Sequence, residues 1–194
     1  MADYLLRPPE RFKTQRLLLR PVVAVDAAAI FERWVQDPEV SRYQVWRPHQ
    51  NIDETRTFVA RCVACWQTSV AGAEPGMGIP ANRAYPWMIE KPGYGPIGLI
   101  EMRIGGHMAD LGYNIMRAEW GHGYAPEAAR AVTDWALAQP SIYRVWATCD
   151  IDNRQSARVL EKLGMQCEGL LKRWIMHPNL SNEPRDSYIY GRTK

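Results

Sequence analysis

Leu111-Gly112-Tyr113-Asn114-Ile115, then Met116 to Glu119, then Trp120-Gly121-His122-Gly123-Tyr124-Ala125 and Pro126-Glu127-Ala128-Ala129, is the stretch that decides the fold. It reads as a strand, a glycine-punctuated turn and a helix, with Pro126 and Glu127 where a first turn favours proline and an acid. The first N–H groups of a helix have no partner within it, and the aligned peptide dipoles place about half a positive charge there. Gly121 and Gly123 carry no Cβ, so the turn can take unusual φ values and let a ligand approach the main chain. His122, between them, adds a donor. This is the build of an anion site that suits a phosphate, although two glycines also serve a plain tight connection.

Working outward, the helix from Pro126 to Gln139 is stopped by Pro140 and carries Ala128, Val132, Trp135 and Ala136 on one face. Tyr143 to Cys149 follows as a strand. Strand, helix and strand in sequence favour a parallel crossover, which sets it beside the Leu111 strand. Upstream, Tyr85–Glu90, Ile97–Ile104 and Met108–Ile115 are strands parted by turns at Lys91–Gly95 and Gly105-Gly106, an antiparallel meander. Gln15 to Val22 reads as the first strand. Asp26 caps a helix running to about Gln36, where Asp37-Pro38 ends it. Asn51 with Glu54 resembles a capping box, opening a helix whose apolar stripe holds Thr55, Phe58, Val59, Cys62, Val63 and Trp66. Ser69 to Ala84, rich in Gly, Ala and Pro and without periodicity, reads as a surface loop. Asn153–Leu163 is a helix closed by Gly164, and Met165–Ile175 with Arg185–Gly191 form a last pair of strands. The expectation is one α/β domain over residues 1–194. Its central sheet is mixed but mostly antiparallel, with about seven strands and about four flanking helices.

The chain has 194 residues, enough for a real core without metal or disulfide help. Its 24 basic and 21 acidic residues leave a formal charge of +3, too mild to announce a nucleic-acid surface. No run approaches the ~18 apolar residues of a membrane span, and Met1 to Lys13 carries prolines and charges where a signal peptide needs an apolar core. A cytoplasmic protein is expected, without nucleic-acid or membrane partners; homodimer formation stays open. Cys62 and Cys65 are spaced C-x-x-C but fall in a helical pattern, and Cys149 and Cys167 stand alone. No metal site is expected, and His49, His107, His122 and His177 show no ligand spacing.

Three pieces in order, the G-x-G-Y-A turn opening a helix, the strand Val145 to Cys149, and Asn153-x-x-Ser156 leading to Leu160-Glu161-Lys162-Leu163-Gly164-Met165, resemble the GCN5-related N-acetyltransferases. Within that family the resemblance is to the ribosomal-protein N-terminal acetyltransferases and their relatives. Thr14-Gln15-Arg16-Leu17, Asp37-Pro38-Glu39-Val40, Gly112-Tyr113, Asp186 and Tyr190 agree with it, so it spans nearly the whole chain. It implies acetyl-CoA as acyl donor, its pyrophosphate on Gly121, His122, Gly123, Tyr124 and Ala125. Trp120 stands where the family has Gln or Arg, which removes one side-chain contact and leaves the backbone donors. Glu127 must then turn away from the phosphates. The resemblance also implies a pantetheine arm pairing with the Leu111–Met116 strand, the thioester near Asn114, Ile115 and Met116, and Asn153 meeting the cofactor arm.

Asn153 has a structural task as well, since its side-chain oxygen can accept the N–H of Ser156. Ser156, spaced with Val159, Leu160 and Leu163, turns its hydroxyl inward, where it can bond back to its own helix. The resemblance implies instead a general acid for the departing thiolate, with Tyr113 and Tyr124 as substitutes. Glu101, on the Ile97 and Leu99 face, and Asp110, on the Gly112 and Asn114 face, are the carboxylates nearest the expected centre and the candidate bases. An α-amine of pKa about 7.8 is roughly 14% neutral at pH 7, so freeing it costs only ~1 kcal/mol, against ~4.6 for a lysine amine. An N-terminal α-amine is therefore the favoured acceptor, and a small-molecule amine the alternative. Glu101, Tyr113, Tyr43, Trp46 and Arg47 are expected to line its cleft.

Two rivals remain at this stage. A nucleotide-binding domain would need Gly-Lys-Ser/Thr after the turn or G-x-G-x-x-G after the first strand, and neither is present. A non-catalytic acyl-CoA-binding module would keep the fold without the chemistry.

Overall fold

A computed structural model describes residues 6–67 and 83–194. Its eight strands are β1 (Phe12–Lys13), β2 (Leu18–Pro21), β3 (Arg83–Lys91), β4 (Gly95–Gly105), β5 (Met108–Ile115), β6 (Arg144–Asp150), β7 (Gln166–Ile175) and β8 (Arg185–Thr193). They form one sheet in the order β1-β2-β3-β4-β5-β6-β8-β7. Only β5 and β6 run parallel, as the helical crossover between them requires. The fold class is the expected one, with an eighth strand added. That strand is two residues long, too short to leave a periodic signal. It exists because residues 14–17 are a hairpin turn: Thr14 N–H donates to Leu17 O at 2.9 Å, and Leu17 N–H donates to Thr14 Oγ1 at 2.9 Å. The expected first strand therefore starts at Leu18. Residues 69–82 of the expected loop lie outside the described residues, and Arg83 and Ala84 belong to β3.

The helices are α1 (Asp26–Ile30), α2 (Pro38–Ser41), α3 (Ile52–Gln67), α4 (Tyr124–Ala138) and α5 (Arg154–Lys162). α1 continues into a π-helical turn over Phe31–Val35. Asp26 does not serve as the N-cap. Its carboxylate accepts the Val23 N–H and is gripped by Arg20 through two bonds of 2.8 Å. Asp37-Pro38, expected as a stop, also starts a helix, because Asp37 accepts the Glu39 N–H at 2.8 Å and Pro38 presets the first turn. The Asn51 box forms as expected: Asn51 Oδ1 accepts the Asp53 and Glu54 N–H groups, and Glu54 accepts the Gln50 N–H.

The sheet has two unlike faces. Alternation and cross-strand register put Trp87, Ile100 and Tyr113 in one row. Trp87 meets Phe12, which meets Trp135 of α4, so this is the face of α4 and α5. The opposite face carries Glu101 beside Gly112 and Arg103 beside Asp110, and continues into β6 through the Asp110–Trp146 pair. Trp34, Trp87, Ile100, Met102 and Leu160 are almost wholly buried, each contributing about 1.5–3 kcal/mol through removal of apolar surface from water.

Candidate active site

β4 and β5 pair along eight positions, and β6 pairs with β8 along its whole length. Between β5 and β6, however, the ladder holds only Met108–Arg144, Ala109–Val145 and Asp110–Trp146. Beyond those pairs the facing edges part. The divergence is fixed on the β4 side, where Gly98 lies so close to β5 that an added Cβ would come within 2.3 Å of Asn114 O. A cleft of about 820 Å³ opens there, and it reaches both faces of the sheet.

The turn before α4 takes the form the glycines anticipated. Gly121 has φ +80° and Gly123, preceding the first helical residue, has φ +78° and ψ +15°. In this conformation the N–H groups of Gly121, His122, Gly123, Tyr124 and Ala125 make no hydrogen bond among the described residues. Four of these residues line the cleft: Gly121, Gly123, Tyr124 and Ala125. The donors and the helix dipole fit a diphosphate. Arg154, Arg158 and Lys162, four residues apart along one stripe of α5, line the same cleft with positive charge. His122 does not line it; its ring stacks on Tyr124 with centroids 5.8 Å apart.

Glu127 is turned from the turn's donors, accepting from Thr14 Oγ1 at 2.6 Å, Arg16 N at 2.8 Å and Arg16 Nε at 2.6 Å. Burial acts to raise its carboxyl, and these donors outweigh burial and hold it below the usual range. The Arg16 guanidinium also donates to His122 O at 3.0 Å and lies over the Tyr124 ring at 4.6 Å, so it braces the turn from behind. Trp120, in the Gln/Arg slot, donates its indole N–H to Ile115 O at 2.7 Å.

Of the expected strand contacts, Asn114 and Ile115 line the cleft, and Met116 does not. Met116 N–H donates to Ile97 O at 2.8 Å, and Met116 O accepts from Glu119 N–H at 3.0 Å. Its N–H is thus taken by β4 and its carbonyl by the turn that leads out of β5.

On the α4/α5 face, Asn153 caps α5 by accepting the Ser156 N–H at 3.1 Å. Tyr113 Oη lies 2.9 Å from Ser156 Oγ. The two candidate acids therefore form one hydrogen-bonded pair. Burial pushes the Tyr113 phenol up, which keeps it protonated at working pH.

On the opposite face Asp110 is 3% exposed. Its Oδ2 accepts from Arg103 Nε at 2.8 Å and again from Nη2, while Oδ1 has no partner among the described residues. Arg103 Nη1 also stands 3.6 Å from Glu101 Oε1. Burial pushes the Glu101 carboxyl up, with Arg103 opposing and Asp110 adding. Glu101, Asp110, Tyr113, Asn153 and Ser156 thus share one cleft, with Tyr43, Gln44 and Trp46 at its mouth. Arg47 does not line it.

Arg103, Asp150, His177 and Ser187 also line the cleft and were missed in the sequence. Arg103 was legible, two residues from Glu101 and on the same strand face. His177 and Ser187 carried no signal, because the loop that carries one and the strand that carries the other have no marked spacing.

A family model described as acetyltransferase (GNAT) domain matches residues 16–166. The chain is 29% identical over 186 residues to the uncharacterised N-acetyltransferase YoaA of Bacillus subtilis, covering 94% of this chain and 96% of that one. Among solved structures, an acetyltransferase of the GNAT family from Bacillus anthracis superposes with a TM-score of 0.74 at 28% identity, over 94% of this chain and 98% of that one. The ribosomal L7/L12 alpha-N-protein acetyltransferase RimL, solved with coenzyme A, superposes with a TM-score of 0.78 at 19% identity, over 95% and 98%.

Proposed function

Because this chain belongs to the GNAT acetyltransferase family and is an N-acetyltransferase that uses acetyl-CoA, we propose that it acetylates a primary amine directly, most naturally a peptide or protein N-terminal α-amine. The observation that carries this reading is the early end of the β5/β6 ladder. It lets one cleft join the Tyr113–Ser156 pair on one face to Glu101 on the other.

In this reading the free N–H groups of residues 121–125 hold the diphosphate, and the edges of β5 and β6 receive the pantetheine arm. The acyl donor supplies the activated thioester. Glu101, raised by burial and oriented by Arg103, takes the proton from the incoming ammonium. The amine nitrogen then bonds to the thioester carbonyl carbon and the C–S bond breaks. Ser156, hydrogen-bonded to Tyr113, gives a proton to the departing thiolate, which leaves as CoA–SH, and the second proton shed by the acylated nitrogen restores the Ser156 hydroxyl. Asp110 anchors Arg103. An α-amine asks only ~1 kcal/mol for deprotonation at pH 7, so a single carboxylate suffices.

A thiol-release screen with acetyl-CoA against peptide N-termini and small amines, read with intact mass to locate the acetyl group, tests this. Release with peptides and acetylation at the α-amine is the expected result. Release only with small amines overturns the acceptor class, and CoA binding without release with any amine overturns the enzymatic reading.

A further inference from the structure

The cleft runs past the break between β5 and β6 to a polar end built by β6, β8 and the segment joining β7 to β8. Asp150 and Ser187 stand opposite each other in the β6/β8 ladder. Counting by twos from Trp146, the partner of Asp110, places both on the sheet face of Glu101. His177 lies against Asp150, with Nε2 3.8 Å from Oδ2, and stands edge-on to Tyr43 at 6.4 Å. Asn179 fixes the segment by donating to Ser41 O at 2.6 Å and Trp46 O at 2.8 Å. Tyr43, Asp150, His177 and Ser187 all line the cleft.

Hydrogen bonding here is lopsided. Asp150 is satisfied: it accepts from Arg185 Nε at 2.6 Å, from Arg185 Nη2 at 3.0 Å and from Asp152 N–H at 2.9 Å. Ser187 Oγ and both ring nitrogens of His177 have no hydrogen-bond partner among the described residues, although these residues are 0% and 4% exposed. The Gln44 carbonyl and the Asp150 carboxylate lie near the ring without bonding geometry. A buried polar group without a partner is costly and rare in a folded protein unless something else meets it. Arg185 cancels the charge of Asp150, and burial holds His177 neutral. What remains is a hydroxyl and a neutral imidazole, each able to donate and to accept.

We infer that this end of the cleft is a specificity subsite that takes an uncharged hydrogen-bonding group, a hydroxyl or an amide, carried by the acceptor close to its amine. The inference rests on the transferase reading above and names what selects the acceptor. Ser187 and His177 bind that group. Asp150 positions His177, and Tyr43 covers it.

Acetyl transfer to serinamide, alaninamide and isopropylamine separates the two sources of such a group. The serinamide to alaninamide ratio of kcat/KM reads the hydroxyl, and the alaninamide to isopropylamine ratio reads the amide. Each ratio is compared between the native protein and the Ser187→Ala and His177→Phe variants, so the different amine pKa values cancel. At least one ratio should fall about tenfold or more in both variants. A second readout is the Tm without acceptor: removing an unpartnered hydroxyl should leave the Tm of Ser187→Ala unchanged or higher, whereas a hydroxyl with a structural partner would lower it. Ratios that stay within twofold of native in both variants, with acetylation proceeding, overturn the subsite and leave the transferase intact. Absence of CoA–SH release with all three amines and with the peptide panel overturns the transferase reading, and the subsite falls with it.

Discussion

Gly123→Ala probes the turn proposed to hold the diphosphate of acetyl-CoA. Gly123 sits at φ +78°, ψ +15°, and the nearest atom to an added Cβ is Arg16 Nη2 at 3.6 Å, an ordinary contact. Sterics with neighbours are therefore not the issue; the left-handed backbone is, and it costs an alanine about 1–2 kcal/mol. That strain must appear somewhere. If the free protein keeps the turn, stability falls and affinity is unchanged. If the free turn relaxes, stability is spared and affinity drops, by at most the strain released, about 5–30-fold. In either case the liganded state lies about 1–2 kcal/mol higher relative to the unfolded chain. At 2–4 °C per kcal/mol for a chain of this size, the Tm in saturating acetyl-CoA should drop by about 2–8 °C. Gly164→Ala, at φ +76° behind α5 and away from the cleft lining, is the control, and should lower free and liganded Tm alike. A liganded Gly123→Ala protein that melts with native, while free protein melts lower, would mean that the bound state does not use this turn conformation, and the diphosphate assignment would be wrong.

Two further predictions concern charge. Glu101→Gln should lower kcat/KM for peptide acetylation about 100-fold at pH 7, with the deficit shrinking as pH rises past the α-amine pKa; a loss below twofold at every pH removes Glu101 as the base. Glu127 has a depressed carboxyl pKa in the folded state, so its stabilisation is fully present above the ordinary carboxylate range and is lost as pH falls from there through the folded value. Glu127→Gln should accordingly cost about 1–2 kcal/mol at pH 7, seen as a lower Tm, and the gap from native should close in acid; a gap that is constant with pH would show that charge at Glu127 contributes nothing.

Most of the framework was legible because its signals are local. Glycines at positive φ, an Asn three residues before Ser156 and the Asn51–Glu54 box each act within one turn of chain. Failures came where a local signal had two outcomes. Asp37-Pro38 ends one helix and caps the next with the same two residues. The strand expected over Gln15 to Val22 took in Gln15 to Leu17, yet the Thr14 hydroxyl closes those residues into a turn. Met116, which the resemblance sets near the thioester, has its N–H on the Ile97 carbonyl and its own carbonyl in the 3₁₀ turn at Arg117–Glu119, bonds that no local signal announces. The polar end at His177 and Ser187 was out of reach, since it depends on which strand lies beside β6, and sequence order suggests β7 where the sheet places β8.

That strand order also explains why the site lies where it does. β2 to β5 are joined by antiparallel pairings, as are β6, β8 and β7, with a bulge in β3/β4 and two irregularities in β7/β8. Within the sheet the two halves, linked by the crossover that α4 carries, meet through three residue pairs of β5 and β6. Opening this seam further forfeits net hydrogen-bond stabilisation of about 0.5–1.5 kcal/mol per bond, for the whole seam a sum comparable to the burial of one side chain such as Trp87. A ligand with amide groups of its own can restore part of that loss along the open edges. The helix that makes the crossover is the one whose first turn offers free N–H groups, so the connection that interrupts the seam also supplies the proposed diphosphate site at its mouth. Closing the seam would separate Glu101 from the Tyr113–Ser156 pair by a continuous sheet, so the proposed transfer requires a parallel pair that ends early, as this one does at Asp110.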